Sequence, residues 1–356
     1  MQRAPSPPAG ELRPFIVPVF LPHAGCPHRC IFCNQDAITA GAAPGLDAAA
    51  VKEGIEAHLR HRSDRRGGAE IAFYGGNFLG LEPDRTRELL DIGREFVESG
   101  RVDGLRFSTR PETVEARRLA LLAGYPVTTV EIGAQSMDDG VLTAAGRGHT
   151  AADTRRAVAL LKSTPIRIGL QLMVGLPGEE EGGCLESARR AAALAPDFVR
   201  IYPTVVLAGS RLADRFRRGA YRPLELTEAV ARVKELFRVF RRRGIPVVRM
   251  GLQAQTSLEA AGVVLAGPYH PSFGHMVYAA LFLEAALQAI EKTARGRAEV
   301  RLRVNPRCLS RMQGLHRANL RQLRQRFDLP ELRIETDEHL PENRLRVAGG
   351  PEVTVY

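Results

Sequence analysis

The stretch "FIVPVFLPHAGCPHRCIFCNQ", residues 15–35, sets a short apolar run directly before three crowded cysteines. "FIVPVFL" (15–21) has the length and β-branched content of a buried strand. The thiols follow as Cys26-x3-Cys30-x2-Cys33, so that strand delivers them on one short loop. A disulfide scaffold would spread its cysteines and pair them, whereas this chain has five, three of them here. Three thiolates on one loop can hold three irons of a cubane cluster, whose full protein ligation takes four. One iron then stays open, and an open metal position is where chemistry takes place. Zinc is the alternative metal, with His23 or His28 completing a closed site. Cys184 and Cys308 stand alone and read as ordinary buried cysteines.

Outward from this loop, apolar runs alternate with helical patterns. Further strands are expected at 69–76, 104–111, 128–136, 166–178 and 198–206. Helices are expected at 48–62, 85–100, 112–123, 150–163, 183–194 and 226–244. Strands alternating with helices at this spacing imply right-handed βαβ units and a parallel sheet. Six units fall short of the eight of a closed barrel. The expected fold is therefore α/β, a partial (β/α)6 TIM-like barrel with a small C-terminal appendix. Residues 1–13 read as a flexible lead, 14–250 as the barrel and 251–356 as an accessory region. In the last, "LRQLRQRF" (320–327) looks helical and "ELRIETDEHLPENRLRV" (331–347) looks strand-like.

The 356 residues are 44% hydrophobic and carry a net charge of +10. That is enough apolar content for a large core, and enough positive charge to suit an acidic partner such as nucleic acid. The basic residues are nearly all arginine, which is equally a compositional bias. The opening "MQRAPSPPAGELRP" has no apolar signal-peptide core. No segment is read as running 18 residues without a charge, so no membrane span is expected, and a reducing cytoplasm is the expected setting.

The motif Cys-x3-Cys-x-aromatic-Cys after a first strand resembles that of the radical S-adenosylmethionine (SAM) superfamily. "FYGGNFLGL" (73–81) is similar to that family's Gly-Gly segment. "FSTRPETV" (107–114), "VEIGAQS" (130–136), "GRGH" (146–149), "LQLMVGLPGE" (170–179) and "RIYPTVVLAGSRL" (200–212) follow in order. Together they resemble the radical SAM domain of the elongator complex catalytic subunit and its bacterial relatives. A looser likeness runs to oxygen-independent coproporphyrinogen oxidase.

The resemblance implies a [4Fe-4S] cluster on Cys26, Cys30 and Cys33, with SAM on the open iron. It implies reductive cleavage of SAM to a 5′-deoxyadenosyl radical, fed by an electron donor such as flavodoxin or ferredoxin. By the same likeness Phe32 packs on the adenine, and Gly76 and Asn77 meet the methionyl end. Ser108 matches an often acidic SAM-binding position, Gln135 a ribose contact, Arg147 a neighbour of the SAM carboxylate, and Gln171 a ribose or substrate contact. Taken alone, these residues have plainer readings. Gly75-Gly76 would serve as a turn, and Gln135 and Gln171 as satisfied polar groups at strand ends. Glu131 and Arg110 would form a structural ion pair, and His149 would cap or pack.

The elongator subunit carries a further acetyltransferase domain. Residues after about 250 show no strand, Gly-rich loop and helix pattern to cradle coenzyme A, so acetyl transfer is not expected. Two remaining cysteines do not provide a second fully cysteine-ligated cluster, so sulfur insertion is disfavoured. RNA, tRNA in particular, is the first substrate class. A small metabolite or tetrapyrrole is the second. A non-enzymatic iron–sulfur or zinc module is the third reading.

Overall fold

A computed structural model describes residues 14–35, 47–62, 67–253 and 256–356. The expected flexible lead, 1–13, lies outside the described residues. The expected strands form as β1 (Phe15–Phe20), β2 (Ala69–Tyr74), β3 (Gly104–Thr109), β4 (Val127–Gln135), β5 (Arg167–Val174) and β6 (Phe198–Pro203). A two-residue strand, β7 (Val206–Leu207), follows, and then β8 (Val247–Met250). The main sheet runs β1-β2-β3-β4-β5-β6-β8, parallel at each pairing. Curled with helices on its outer face, it is a partial TIM barrel. Its seventh strand adds one to the six expected. Four residues after a long helix are too few to display an alternating pattern.

Alternation decides which face each strand presents to the helices. On β5, Ile168, Leu170, Leu172 and Val174 are buried in the main core, while Arg167, Gln171 and Met173 line an internal cavity. On β6, Val199 and Ile201 join the core, and Phe198, Arg200 and Tyr202 line the cavity. β1 does the same with Val17 and Val19 against Ile16, Pro18 and Phe20. Pro18 has no N–H to offer a further strand, which suits β1 to an edge. In the main sheet β1 pairs with β2 alone, and β8 with β6 alone, so the barrel stays open between them.

Local sequence sets the outer helices. Thr150 and Asp153 form a reciprocal capping box at the start of Ala151–Lys162. Helix Leu226–Arg242 buries Val230, Val233, Phe237 and Phe240 along one stripe.

The C-terminal region begins with β9 (Val264–Ala266), which pairs antiparallel with β7. Helix Phe273–Thr293 follows. A second sheet then forms from β10 (Glu299–Val304), β11 (Glu331–Thr336), β12 (Arg344–Val347) and β13 (Glu352–Thr354), in the order β11-β10-β12-β13. Helix Ala318–Phe327 falls where the helical pattern was read. One hydrophobic core runs from Phe15 to Val355 and includes residues of both sheets.

Helix Phe273–Thr293 corrects one expectation. It is long and apolar enough, by length and composition, to cross a membrane, and half of its most apolar window is buried in the protein. Residues 260–283 hold no Asp, Glu, Lys or Arg. Glu284, midway along the helix, pairs with Lys234 at 2.6 Å and Arg238 at 2.7 Å on the neighbouring helix.

Candidate active site

The cysteine loop is seated by backbone contacts that only small residues permit. A Cβ on Gly76 would lie 2.6 Å from the carbonyl oxygens of Leu21 and Ala24. One on Gly25, whose φ is +69°, would lie 2.3 Å from the Asn77 oxygen. Gly75 and Gly76 bend the chain after β2, bring it close to the cysteine loop and both line the cavity. Further along the loop, the Ile31 N–H donates to the Ala145 carbonyl at 3.1 Å, and the Leu212 N–H donates to Ile31 at 2.7 Å.

The loop opens on a cavity of about 930 Å³ inside the half-barrel. Cys26, Cys30, Cys33, Phe32, Gly76, Ser108, Gln135, Arg147 and Gln171 all line it. These residues come from strand ends and loops more than a hundred positions apart, and the fold brings them to one space. Asn77 is placed elsewhere. It is fully buried off the cavity wall. Its Oδ1 accepts from the Thr109 hydroxyl (2.8 Å), the Thr113 hydroxyl (2.9 Å) and the Arg110 N–H (2.9 Å). Its Nδ2 donates to the Gly25 carbonyl at 2.7 Å. The Asn77 side chain therefore ties the cysteine loop to the end of β3, and the contact expected of it with a methionyl end is not available.

Two guanidinium groups face the middle thiol. Arg147 Nη1 is 3.0 Å and Arg110 Nη1 3.4 Å from Cys30 Sγ. Arg147 also donates to the Gly133 carbonyl at 2.6 Å, while Arg110 holds Glu112 and the Arg147 carbonyl. Burial pushes the Cys26 thiol up and Cys33 up to about 12. A metal centre binding here must displace those protons, so loading is coupled to proton release. Among the described residues, no three His, Cys, Asp or Glu side chains converge on a single-ion position. Three thiolates on one loop suit a cubane, which takes each of them on a different iron. The donor set fits the cluster.

Gln171 Nε2 donates to Gln135 Oε1 at 2.8 Å, and Gln135 sits at the end of β4 with φ at +64°. A non-glycine residue in the left-handed region is uncommon and costs conformational energy. Here it follows a break in the β4–β5 register between Gly133 and Gln135. Ser108 faces the cavity from β3, in register with Glu131. His149 is buried, with Nε2 3.2 Å from the Ala134 carbonyl. Burial first, then Arg147 and Arg110, hold it down to about 3, so it packs as a neutral ring.

Glu131 and Arg110 do not pair with each other. Glu131 accepts from the Tyr74 hydroxyl at 2.6 Å and pairs with Arg106 at 3.2 Å and Arg200 at 2.9 Å. Arg106 also holds Glu70 at 2.9 Å. Sequence reasoning missed this charged layer. Its signal was an arginine between two apolar residues in four strands: "LRF" (105–107), "IRI" (166–168), "VRI" (199–201) and "VRM" (248–250). All four of these arginines line the cavity.

Comparison with known proteins matches residues 20–191 to the Radical SAM superfamily and residues 196–282 to the Radical_SAM C-terminal domain. An uncharacterised protein of Methanocaldococcus jannaschii is 29% identical over 220 residues, covering 59% of this chain and 67% of that one. A tRNA uridine(34) acetyltransferase of Methanocaldococcus infernus is 26% identical over 257 residues, 60% of this chain. The match spans 47% of that acetyltransferase, less than half its length. Among solved structures, the archaeal Elp3 of Methanocaldococcus infernus superposes with a TM-score of 0.56 at 20% identity, covering 80% of this chain and 64% of that one. This likeness supports the fold.

Proposed function

The chain belongs to the radical SAM superfamily and is an enzyme of it, and from that premise we propose that it cleaves SAM reductively to modify an RNA, tRNA first among them. Cys26, Cys30 and Cys33 would hold a [4Fe-4S] cluster. When bound and reduced by a donor such as flavodoxin or ferredoxin, the cluster supplies the electron that splits SAM into methionine and a 5′-deoxyadenosyl radical. The observation that carries this reading is the common cavity. Three thiols from one loop and polar side chains from β3, β4 and β5 face the same enclosed space.

The protein's own groups have definable tasks there. Arg147 and Arg110 place positive charge at the cluster edge and hold the Cys30 sulfur in position. Gln135 and Gln171, bonded to each other, offer remaining donors and acceptors to a ribose. Phe32 packs against two small apolar clusters and leaves an edge for a base. The strands that line the partly enclosed cavity would limit the access of water to a reactive carbon radical.

The RNA assignment draws on the +10 charge and the likeness to a protein named for tRNA uridine(34). Arg242 and Arg243 are exposed at the end of helix Leu226–Arg242, whereas neighbouring Arg241 lies over the Tyr356 ring at 5.7 Å. Arg217 pairs with Asp214 at 3.2 Å. The test has two parts. Anaerobically reconstituted protein with SAM and a reductant should yield 5′-deoxyadenosine, and its absence overturns the chemistry. Binding to tRNA across a salt series should fall with a log–log slope near −0.7 per phosphate contact on single strands. No binding at low salt overturns the RNA assignment.

A further inference from the structure

The interior of the half-barrel carries more positive charge than the cysteine site uses. Arg106 on β3, Arg167 on β5, Arg200 on β6 and Arg249 on β8 all face the cavity. Glu70 and Glu131 neutralise Arg106 and Arg200. Arg167 and Arg249 are left over. Neither side chain has a hydrogen-bond acceptor or ion-pair partner among the described residues. The Arg167 Nε is buried with no acceptor among the described residues.

Strand register sets where these two sit. Gln171, Arg200 and Arg249 lie side by side across β5, β6 and β8. Arg167 lies two inward positions further down β5, away from the cysteine end. Between Arg167 and Gln171 stands Gly169, where a Cβ would meet the Phe198 ring at 2.4 Å. That ring fills the space and presents its face to Arg106 (5.7 Å) and Arg167 (5.9 Å). The Phe198 ring thus orients Arg167 without neutralising it.

A guanidinium turned into a partly enclosed cavity loses hydration and regains it only from an anion or trapped water. Its planar fork suits the paired oxygens of a phosphate or carboxylate. We propose that Arg167 and Arg249 are anion-binding positions on the cavity wall, each taking a phosphate or carboxylate group of the substrate. Two unmatched positive charges on separate strands favour a substrate that carries more than one anionic group. The subsite rests on reading the cavity as the place where substrate meets SAM. It does not depend on that substrate being RNA.

Calorimetry with the full chain tests it, using ribose 5-phosphate, succinate and ribose as probes at low salt. The two anions are expected to outcompete ribose. Arg167→Gln and Arg249→Gln should each weaken anion binding about tenfold or more, as loss of a charged hydrogen bond does. Preference for ribose 5-phosphate identifies a phosphate-bearing substrate. Preference for succinate, lost in the same variants, upholds the subsite with a carboxylate substrate and turns the RNA reading away. Should a glutamine variant fail to fold, Arg167→Lys and Arg249→Lys keep the charge and lose the fork, and the same weakening is expected of them. Equal binding by wild type and variants, or no anion binding by wild type, overturns the subsite. Intact tRNA binding in that event leaves the RNA assignment standing and the subsite refuted.

Discussion

The two ends of the barrel cavity are built from different materials. At the cysteine end, the path of the loop is set by close backbone contact and neutral hydrogen bonds, Gly76 against Ala24 and Leu21 and Asn77 against four partners, and charge enters only where Arg147 and Arg110 meet the Cys30 sulfur. Lower down, position is set by charge, with Glu131 shared among Tyr74, Arg106 and Arg200. The first arrangement is rigid and leaves the thiols free to take a metal centre. The second stores charge for which the protein has no full counterpart. A cofactor-holding end needs fixed geometry, and a substrate-holding end needs unspent interactions.

The largest effect should come from the cysteine end. Cys30→Ala is expected to abolish iron loading and 5′-deoxyadenosine formation, while Cys184→Ala and Cys308→Ala retain both. Cys184 and Cys308 are buried in the main core, and Cys308 donates to the Glu342 carbonyl at 3.0 Å. Iron content and product analysis decide it, and loss of the cluster in Cys308→Ala would break the assignment of ligands to one loop.

At the charged layer, Glu131→Ala leaves Arg200 without its carboxylate, while Arg106 keeps Glu70. Removing one partner from a buried ion pair costs about 3–5 kcal/mol. Urea unfolding measures this, and a loss below about 1 kcal/mol would mean that the layer is solvated rather than structural.

Asn77→Ala is the matching change at the neutral end. Orphaned buried hydrogen-bonding groups cost about 1–3 kcal/mol. Here the loss should appear both as lower stability and as poorer retention of iron, because Asn77 holds Gly25. Lower stability with unchanged iron retention would separate Asn77 from the cysteine loop. Gln135→Ala and Arg147→Ala should weaken SAM binding by about 1–3 kcal/mol while iron stays. Unchanged affinity in both, read by equilibrium dialysis, would return them to structural roles.

The smallest effect concerns acid. His149 is held neutral in the fold, down to about 3, mainly by burial. The unfolded chain binds a proton that the folded one does not, between its ordinary value near 6.5 and that depressed value. This contribution to stability is complete above about pH 6.5 and is lost as pH falls toward 3. His149→Gln should therefore flatten the acid side of the stability profile by up to one proton. An unchanged slope would mean that His149 is hydrated.

Reading from sequence succeeded where the signal was contiguous. Cys26, Cys30 and Cys33 are neighbours on the chain, and strands β1 to β6 repeat their apolar pattern long enough to register. It failed at β8, whose four residues are too few, and at helix Phe273–Thr293, where the uncharged run 260–283 contradicts the reading that no 18-residue stretch lacks a charge. Asn77 was misplaced for another reason. Its residue type suits a ligand contact and a buried tether equally, and only its four hydrogen bonds distinguish them.

By itself, the sequence determined the parallel α/β order, a barrel short of eight strands and the clustered thiols, because each follows from local spacing and backbone chemistry. Tertiary structure alone decided which polar residues share the cavity and which charges cancel there. Arg106, Arg167, Arg200 and Arg249 carry one local pattern in four strands. Two find carboxylates across the sheet and two do not, and that difference depends on register and curvature, which bring together residues far apart along the chain.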